Sequence, residues 1–270
     1  GVLETHDGAA ELTSMILPRP HFSPPLDPDF RPAALAIRAF DEEVAAAGGG
    51  TRLVLGLERA NGNLSRFETR VFPEGHPRFA ANLAHVERIV KFLLWARGAW
   101  SLFAGGPRAI GEHLAGVYTP NGARGFDARF LGEQVYQKPF TVLPCAAEGV
   151  PPARESGQAL GRHLDGCRIG FDLGASDLKV SAVVDGEPIF SEEIVWEPVE
   201  QADPNYHYSR IHDALKLAQS KQARLDAIGG SSAGIYVDNQ PMVASLFRGV
   251  PAERDREIRN MFLRLRDEFG

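Results

Sequence analysis

The fold turns on one stretch, Gly170-Phe171-Asp172-Leu173-Gly174-Ala175-Ser176-Asp177-Leu178-Lys179-Val180. It fits Asp-x-Gly-x-Ser/Thr-x-x-Lys and lies between two strand-like runs, Arg168–Asp172 and Leu178–Val184. Asp185-Gly186 follows as a hairpin turn and Pro188–Val195 as a third strand. In the bend over Leu173–Ser176, Gly174 lets the backbone N–H groups around it and Ala175 approach phosphate oxygens with no side chain in the way. Ser176 adds a hydroxyl donor. Asp172, at the strand end, can seat Mg²⁺ through its water shell, because Mg²⁺ keeps several waters and takes one or two carboxylates. Lys179 is a further phosphate candidate, although its odd separation from Asp172 leaves its direction open. An ordinary strand–turn–strand hairpin is the bland alternative for the same spacing.

Downstream, Tyr208–Ser220 carries Ile211, Leu215 and Ala218 on one helical face. Leu225–Ile228 reads as a strand entering a Gly-rich turn, Gly229-Gly230-Ser231-Ser232-Ala233-Gly234. Ile235–Phe247 reads as a strand pair turning at Asp238-Asn239, and Ala252–Phe269 as a helix with Ile258, Met261, Phe262, Leu265 and Phe269 aligned. Strands before, between and after helices predict an α/β domain with a mixed sheet and flanking helices. Gly230-x-Ser232-x-Gly234 also matches a nucleophile elbow. That motif needs a helix directly after the serine and a later histidine, whereas the next residues look extended and no His follows His212. A Gly-rich turn with no ligand stays the bland alternative; in a sugar- or phosphate-facing turn, Ser231, Ser232 and Gly234 would line a substrate cleft. His207 and His212, five apart, lack the spacing of helical metal ligands and predict a surface helix face. Asp226 and Asp238 read as solvated turn carboxylates.

Residues 168–190 resemble the first phosphate motif of the actin-like ATPase superfamily, which has a ribonuclease H-like fold. Within it they are most similar to the ROK family of repressors and sugar kinases. Ala227–Gly234 resembles the Gly-rich turn of those kinases. Met242-Val243-Ala244-Ser245-Leu246-Phe247-Arg248-Gly249-Val250-Pro251 resembles the segment beside their sugar pocket. The resemblance covers about residues 168–270 and implies an ATP- and Mg²⁺-dependent transfer of phosphate to a sugar hydroxyl. Two departures stand out: Ala233-Gly234 replaces a Pro-Gly step and Ser245-Leu246 replaces an Asn-Leu step. The family's catalytic Asp would follow the last helix, so no residue here is assigned as the catalytic base. On this reading the chain is incomplete and binds Mg·ATP weakly or not at all. A non-catalytic sugar or nucleotide sensor, or a ROK-type transcriptional regulator, is the alternative.

Upstream, residues 1–30 form a Pro-rich irregular arm, and 31–145 predict a second α/β region. Its elements are a helix over Ala33–Ala47, a hairpin over Arg52–Phe72 turning at Asn61-Gly62-Asn63, and a helix over Phe79–Trp95. A buried strand at Trp100–Phe103 and a helix over Ile110–Tyr118 follow. Phe126–Val142 mixes a short helix with an extended piece. Trp95 and Trp100 are expected in the core. The strand, Gly105-Gly106-Pro107 and helix resemble in outline the arrangement such ATPases place around adenosine; a turn that caps a helix is the alternative. Residues 146–165, with Gly149, Pro151, Pro152 and Gly157, predict a linker to a domain at 166–270.

Composition narrows the classes. The 270 residues are 44% hydrophobic and 24% charged, ordinary for a globular protein. A net charge of −6 and no Lys/Arg run argue against a nucleic-acid surface. Cys145 and Cys167 are too few for a disulfide framework or a structural zinc site. The apolar runs are short, which argues against a membrane span. The expectation is a cytoplasmic protein whose partners are a sugar and a nucleotide, with self-association left open.

Overall fold

The computed structural model describes residues 17–155, 157 and 161–270, so the first part of the Pro-rich arm and part of the expected linker lie outside the described residues. Residues 17–32 form neither helix nor strand. The chain divides into two compact units, the first ending at Ser156 and the second beginning at Gly157.

The first unit opens with α1 (Ala33–Ala46), which buries Ala36, Phe40 and Val44. The hairpin follows as β1 (Thr51–Glu58) and β2 (Leu64–Val71). Its turn puts Asn61 and Gly62 at positive φ, the reason an Asn-Gly step marks it. Then come α2 (Ala81–Arg97), β3 (Ser101–Gly105), α3 (Arg108–Val117) and α4 (Gly125–Arg129). A π-helical stretch, Phe130–Tyr136, precedes β4 (Thr141–Cys145). The sheet order is β2-β1-β3-β4; β1 is antiparallel to β2 and β3, and β3 runs parallel to β4. Leu53–Leu57 of β1 are mostly buried, as a central strand with two covered faces requires.

Two expectations for this unit change. Trp95 is 47% exposed. Its indole leaves the core to donate to the buried carboxylate of Asp127 at 2.8 Å, a bond that an apolar site could not supply. The Gly105-Gly106-Pro107 turn is packed by the protein itself. A Cβ on Gly105 would sit 2.3 Å from Val150, and the Gly106 amide donates to the Cys145 carbonyl at 3.0 Å. The residues are used to close β3 against β4 and start α3. Ala147 and Val150 are buried beside Val54, so the residues just after β4 are part of this core.

The second unit begins with β5 (Cys167–Leu173), β6 (Asp177–Val184) and β7 (Glu187–Val195). Asp185 and Gly186 both have positive φ, which matches the twist of the strands they join. α5 (Pro204–Gln219) starts with the Asp203 carboxylate accepting the Asn205 amide at 3.1 Å and Pro204 in the first turn. β8 (Ala227–Ser232), β9 (Ile235–Val237) and β10 (Gln240–Val243) follow, then α6 (Asp255–Arg259) and α7 (Met261–Phe269). The expected single C-terminal helix is thus broken at Asn260.

The four-stranded sheet has the order β7-β6-β5-β8, antiparallel except for the parallel pair β5–β8. The protein is an α/β chain with mixed sheets and flanking helices. α5 covers one face of this sheet with Ile211, Leu215 and Ala218, against Ile169, Leu178, Val180 and Ala182. Each fully buried Val, Leu or Ile side chain among these contributes about 1.5–3 kcal/mol. His207 sits on this buried face too, bonded to the Pro198 carbonyl at 2.8 Å, and not on the surface as its spacing suggested. Trp196, Tyr206 and Phe247 enclose its ring.

Candidate functional site

Along β5, Ile169 and Leu173 are buried in the core that α5 covers and Phe171 packs against it half-buried, while Asp172 stands exposed on the opposite face. Register then decides which side chains join Asp172. It lies opposite Lys179 on antiparallel β6 and opposite Ser231 on parallel β8. All three therefore share one face. Counting along the chain left the direction of Lys179 open, but the hairpin turn between the strands reverses the count and brings it beside Asp172. The Ser231 hydroxyl donates to Asp172 Oδ1.

The turn itself is tight. The Gly174 amide donates to the Asp177 carbonyl at 2.8 Å, and the Trp196 indole donates to the Gly174 carbonyl at 2.9 Å. A Cβ on Gly174 would lie 2.9 Å from that Asp177 oxygen. The glycine is thus required for closing the bend, and its own amide is not available to a phosphate. That corrects the expected role of Gly174. The next two residues differ. Ala175 and Ser176 are exposed, and their amides donate to no protein group among the described residues. The Ser176 carbonyl accepts the Trp196 amide at 3.2 Å, which pins the bend and leaves its N–H side open.

Asp177 gathers the polar groups of the turn. Ser176 donates its hydroxyl to it at 3.2 Å, and Lys179 donates its ammonium. The Lys179 hydrogen bond, above all, holds the Asp177 carboxyl below the usual carboxylate range, and the same bond raises Lys179. Glu193 on β7 stands 3.8 Å from the ammonium. Sequence reading missed Asp177, Glu193 and Trp196. The signal for Trp196 was its place directly after the third strand, where it meets the turn that opens the second.

The segment Gly229–Ser232 is not a turn. It continues β8, paired with Gly170–Leu173. Two glycines weaken a strand, but Gly230 is needed here: a Cβ would come within 2.1 Å of the Phe171 ring. The strand ends at Ser232, and the bend after it uses Gly234, whose φ of 136° and close approach to the Val243 carbonyl admit no side chain. Ser231 and Ser232 line a cavity of about 540 Å³ together with Phe171, Tyr236 and Phe262; Gly234 does not line it. Asp226 is structural: it accepts the Cys167 amide at 2.7 Å and pairs with Arg224 at 2.9 Å. Ile235–Val237 and Gln240–Val243 are strands joined by a turn, where a nucleophile elbow needs a helix.

Among the described residues, no three His, Cys, Asp or Glu side chains gather as a metal cage, and no helix is long and apolar enough to cross a membrane. Comparison with protein-family models and with curated proteins gives no match for this chain.

Proposed function

We propose that the second unit is a nucleotide-phosphate-binding domain of the actin-like ATPase type, closest in kind to the ROK sugar kinases. It would work in the cytoplasm with Mg²⁺ and ATP on a sugar hydroxyl. The observation that supports this is the placement of Asp172 and Ser231. They lie near the carboxyl ends of the parallel strands β5 and β8. The order β7-β6-β5-β8 puts β6 on one side of β5 and β8 on the other, so the chain changes direction there. Ligands of open α/β sheets bind outside the carboxyl ends of strands at such a switch point. The free amides of Ala175 and Ser176 adjoin it, and exposed successive N–H groups suit an anion.

A lone carboxylate steadied by one hydroxyl fits a Mg²⁺ that keeps its waters and shares the nucleotide phosphates. It does not fit an ion held by protein alone. The ion would neutralise phosphate charge when bound. Asp172 would hold it through water, Ala175 and Ser176 would orient the phosphates, and Lys179 would add charge once released from Asp177. Ser231 and Ser232 border the space left for an acceptor.

One observation favours the sensor reading: the Ser176 hydroxyl and the Lys179 ammonium both rest on Asp177. Single-turnover transfer of the γ-phosphoryl group from ATP to a sugar hydroxyl, read as sugar phosphate and ADP, separates the two readings. Titration calorimetry with ATP tests what they share. Binding is expected to be weak but saturable, and about tenfold weaker in EDTA or in Asp172→Asn. Equal heats under all three conditions would contradict the proposal.

A further inference from the structure

We infer that Trp196 is a positioning residue for the turn after β5: its indole aims the Ala175 amide at the bound phosphate. This deepens the nucleotide reading and rests on it. Trp196 directly follows β7 and is buried. It reaches the turn twice. Its amide donates to the Ser176 carbonyl at 3.2 Å, and its indole N–H donates to the Gly174 carbonyl at 2.9 Å. A trans peptide points its C=O and N–H in opposite directions. Tying the Gly174 carbonyl to the indole therefore turns the Ala175 N–H away from Trp196. The Ser176 carbonyl fixes the peptide after it in the same way, so the Ala175–Ser176 peptide is held between two tied neighbours. Without the indole, Gly174 has no Cβ to resist a turn of its peptide. A carbonyl oxygen would then face the place where an anion needs a donor.

The indole works from a fixed base. Its ring belongs to the core that α5 covers. It meets the buried His207 ring edge-on, with centroids 6.3 Å apart, and His207 meets Phe247 likewise at 5.2 Å. His207 is anchored on the Pro198 carbonyl at 2.8 Å, and the Glu197 amide donates to the Tyr206 hydroxyl at 3.1 Å. Both neighbours that follow Trp196 are thus tied to α5. Phe at this position would fill much of the same space but carries no donor.

Nitrogen-edited NMR of the full chain, titrated with Mg·ADP, tests this. An anion on the Ala175 N–H polarises the peptide whose carbonyl the indole holds. The Trp196 indole resonance should therefore move with the Ala175 and Ser176 amides, at the same midpoint. Trp196→Phe should bind about fivefold more weakly, the scale of one net hydrogen bond. Ile211→Val thins the same core without touching the turn and should bind as the parent does. The inference is overturned if the indole resonance stays still while the two amides move, a result that needs no variant to fold. It is also overturned if Trp196→Phe binds as tightly as the parent, or if Ile211→Val weakens binding as much. In each of these cases the parent still binds, so the nucleotide reading stands. If Mg·ADP moves neither amide in the parent, that reading fails and this inference with it.

Discussion

The Ser231 hydroxyl donates to the Asp172 carboxylate across the parallel pair β5–β8, joining residues 59 apart in the chain. Both side chains are exposed, so the bond orients a carboxylate that water could otherwise rotate freely. Ser231→Ala should therefore leave stability within about 1 kcal/mol of the parent, as for most exposed changes. Affinity for Mg·ADP should fall about three- to tenfold, the scale of a net hydrogen bond to a charged group. Chemical denaturation and calorimetry on the one variant check both halves.

Gly174→Ala acts on the bend. The new methyl would meet the Asp177 oxygen that the Gly174 amide now reaches, so the turn must open. We expect a loss of about 1–3 kcal/mol, typical of overpacking. The Trp196 indole should also lose its carbonyl partner. In a background where Trp95 and Trp100 are Phe, Trp196 emission would move to the red in Gly174→Ala.

Gly230 and Phe171 are coupled. The ring that fills the space above Gly230 also stacks on Phe262, with centroids 6.2 Å apart, so it cannot swing away cheaply. Gly230→Ala alone should cost about 2 kcal/mol or more. In Phe171→Ala the same change should cost little, giving a coupling energy of about 1–2 kcal/mol in a double-mutant cycle. Additive losses would show that the ring does not set the requirement for glycine.

His85 gives the first unit a defined acid response. Its ring is buried, stacked 3.6 Å over Phe40, and neither nitrogen has a hydrogen-bond partner among the described residues. Burial first, then the Arg88 charge, push it down to about 4 from 6.5. The unfolded chain takes up the proton near 6.5 while the folded one stays neutral. Stability is thus complete above about pH 6.5, falls as pH drops through that value, and levels off below about pH 4, for a loss of about 3 kcal/mol. Urea unfolding at about pH 7.5 and about pH 4.5 should show this for the parent and much less of it in His85→Phe.

Much of the fold was legible because turns announce themselves. Asn61-Gly62, Asp185-Gly186 and Asp238-Asn239 all adopt the positive φ that their residue types favour. The features that were not legible depend on partners distant in sequence. Gly229–Ser232 looked like a loop because glycine and serine are poor strand formers, yet pairing with β5 and the Phe171 ring hold it extended. α5 starts at Asp203-Pro204, a cap and first-turn proline four residues before the apolar pattern over Tyr208–Ser220 that marks the helix in the sequence. His207 and Trp95 exchanged their expected places because each followed a hydrogen-bond acceptor, the Pro198 carbonyl and the Asp127 carboxylate. At the site, spacing along the chain could name Asp172 and Ser176. Only cross-strand register could bring Ser231 and Lys179 to Asp172.

In the proposed function, the exposed amides after Gly174 receive phosphate beside Asp172. Nitrogen-edited NMR during a titration with Mg·ADP tests it most directly. The largest shifts should fall on the amides of Ala175 and Ser176, and should be lost in Asp172→Asn. If those two amides stay still while others move, or move equally in Asp172→Asn, phosphate is not held at this turn.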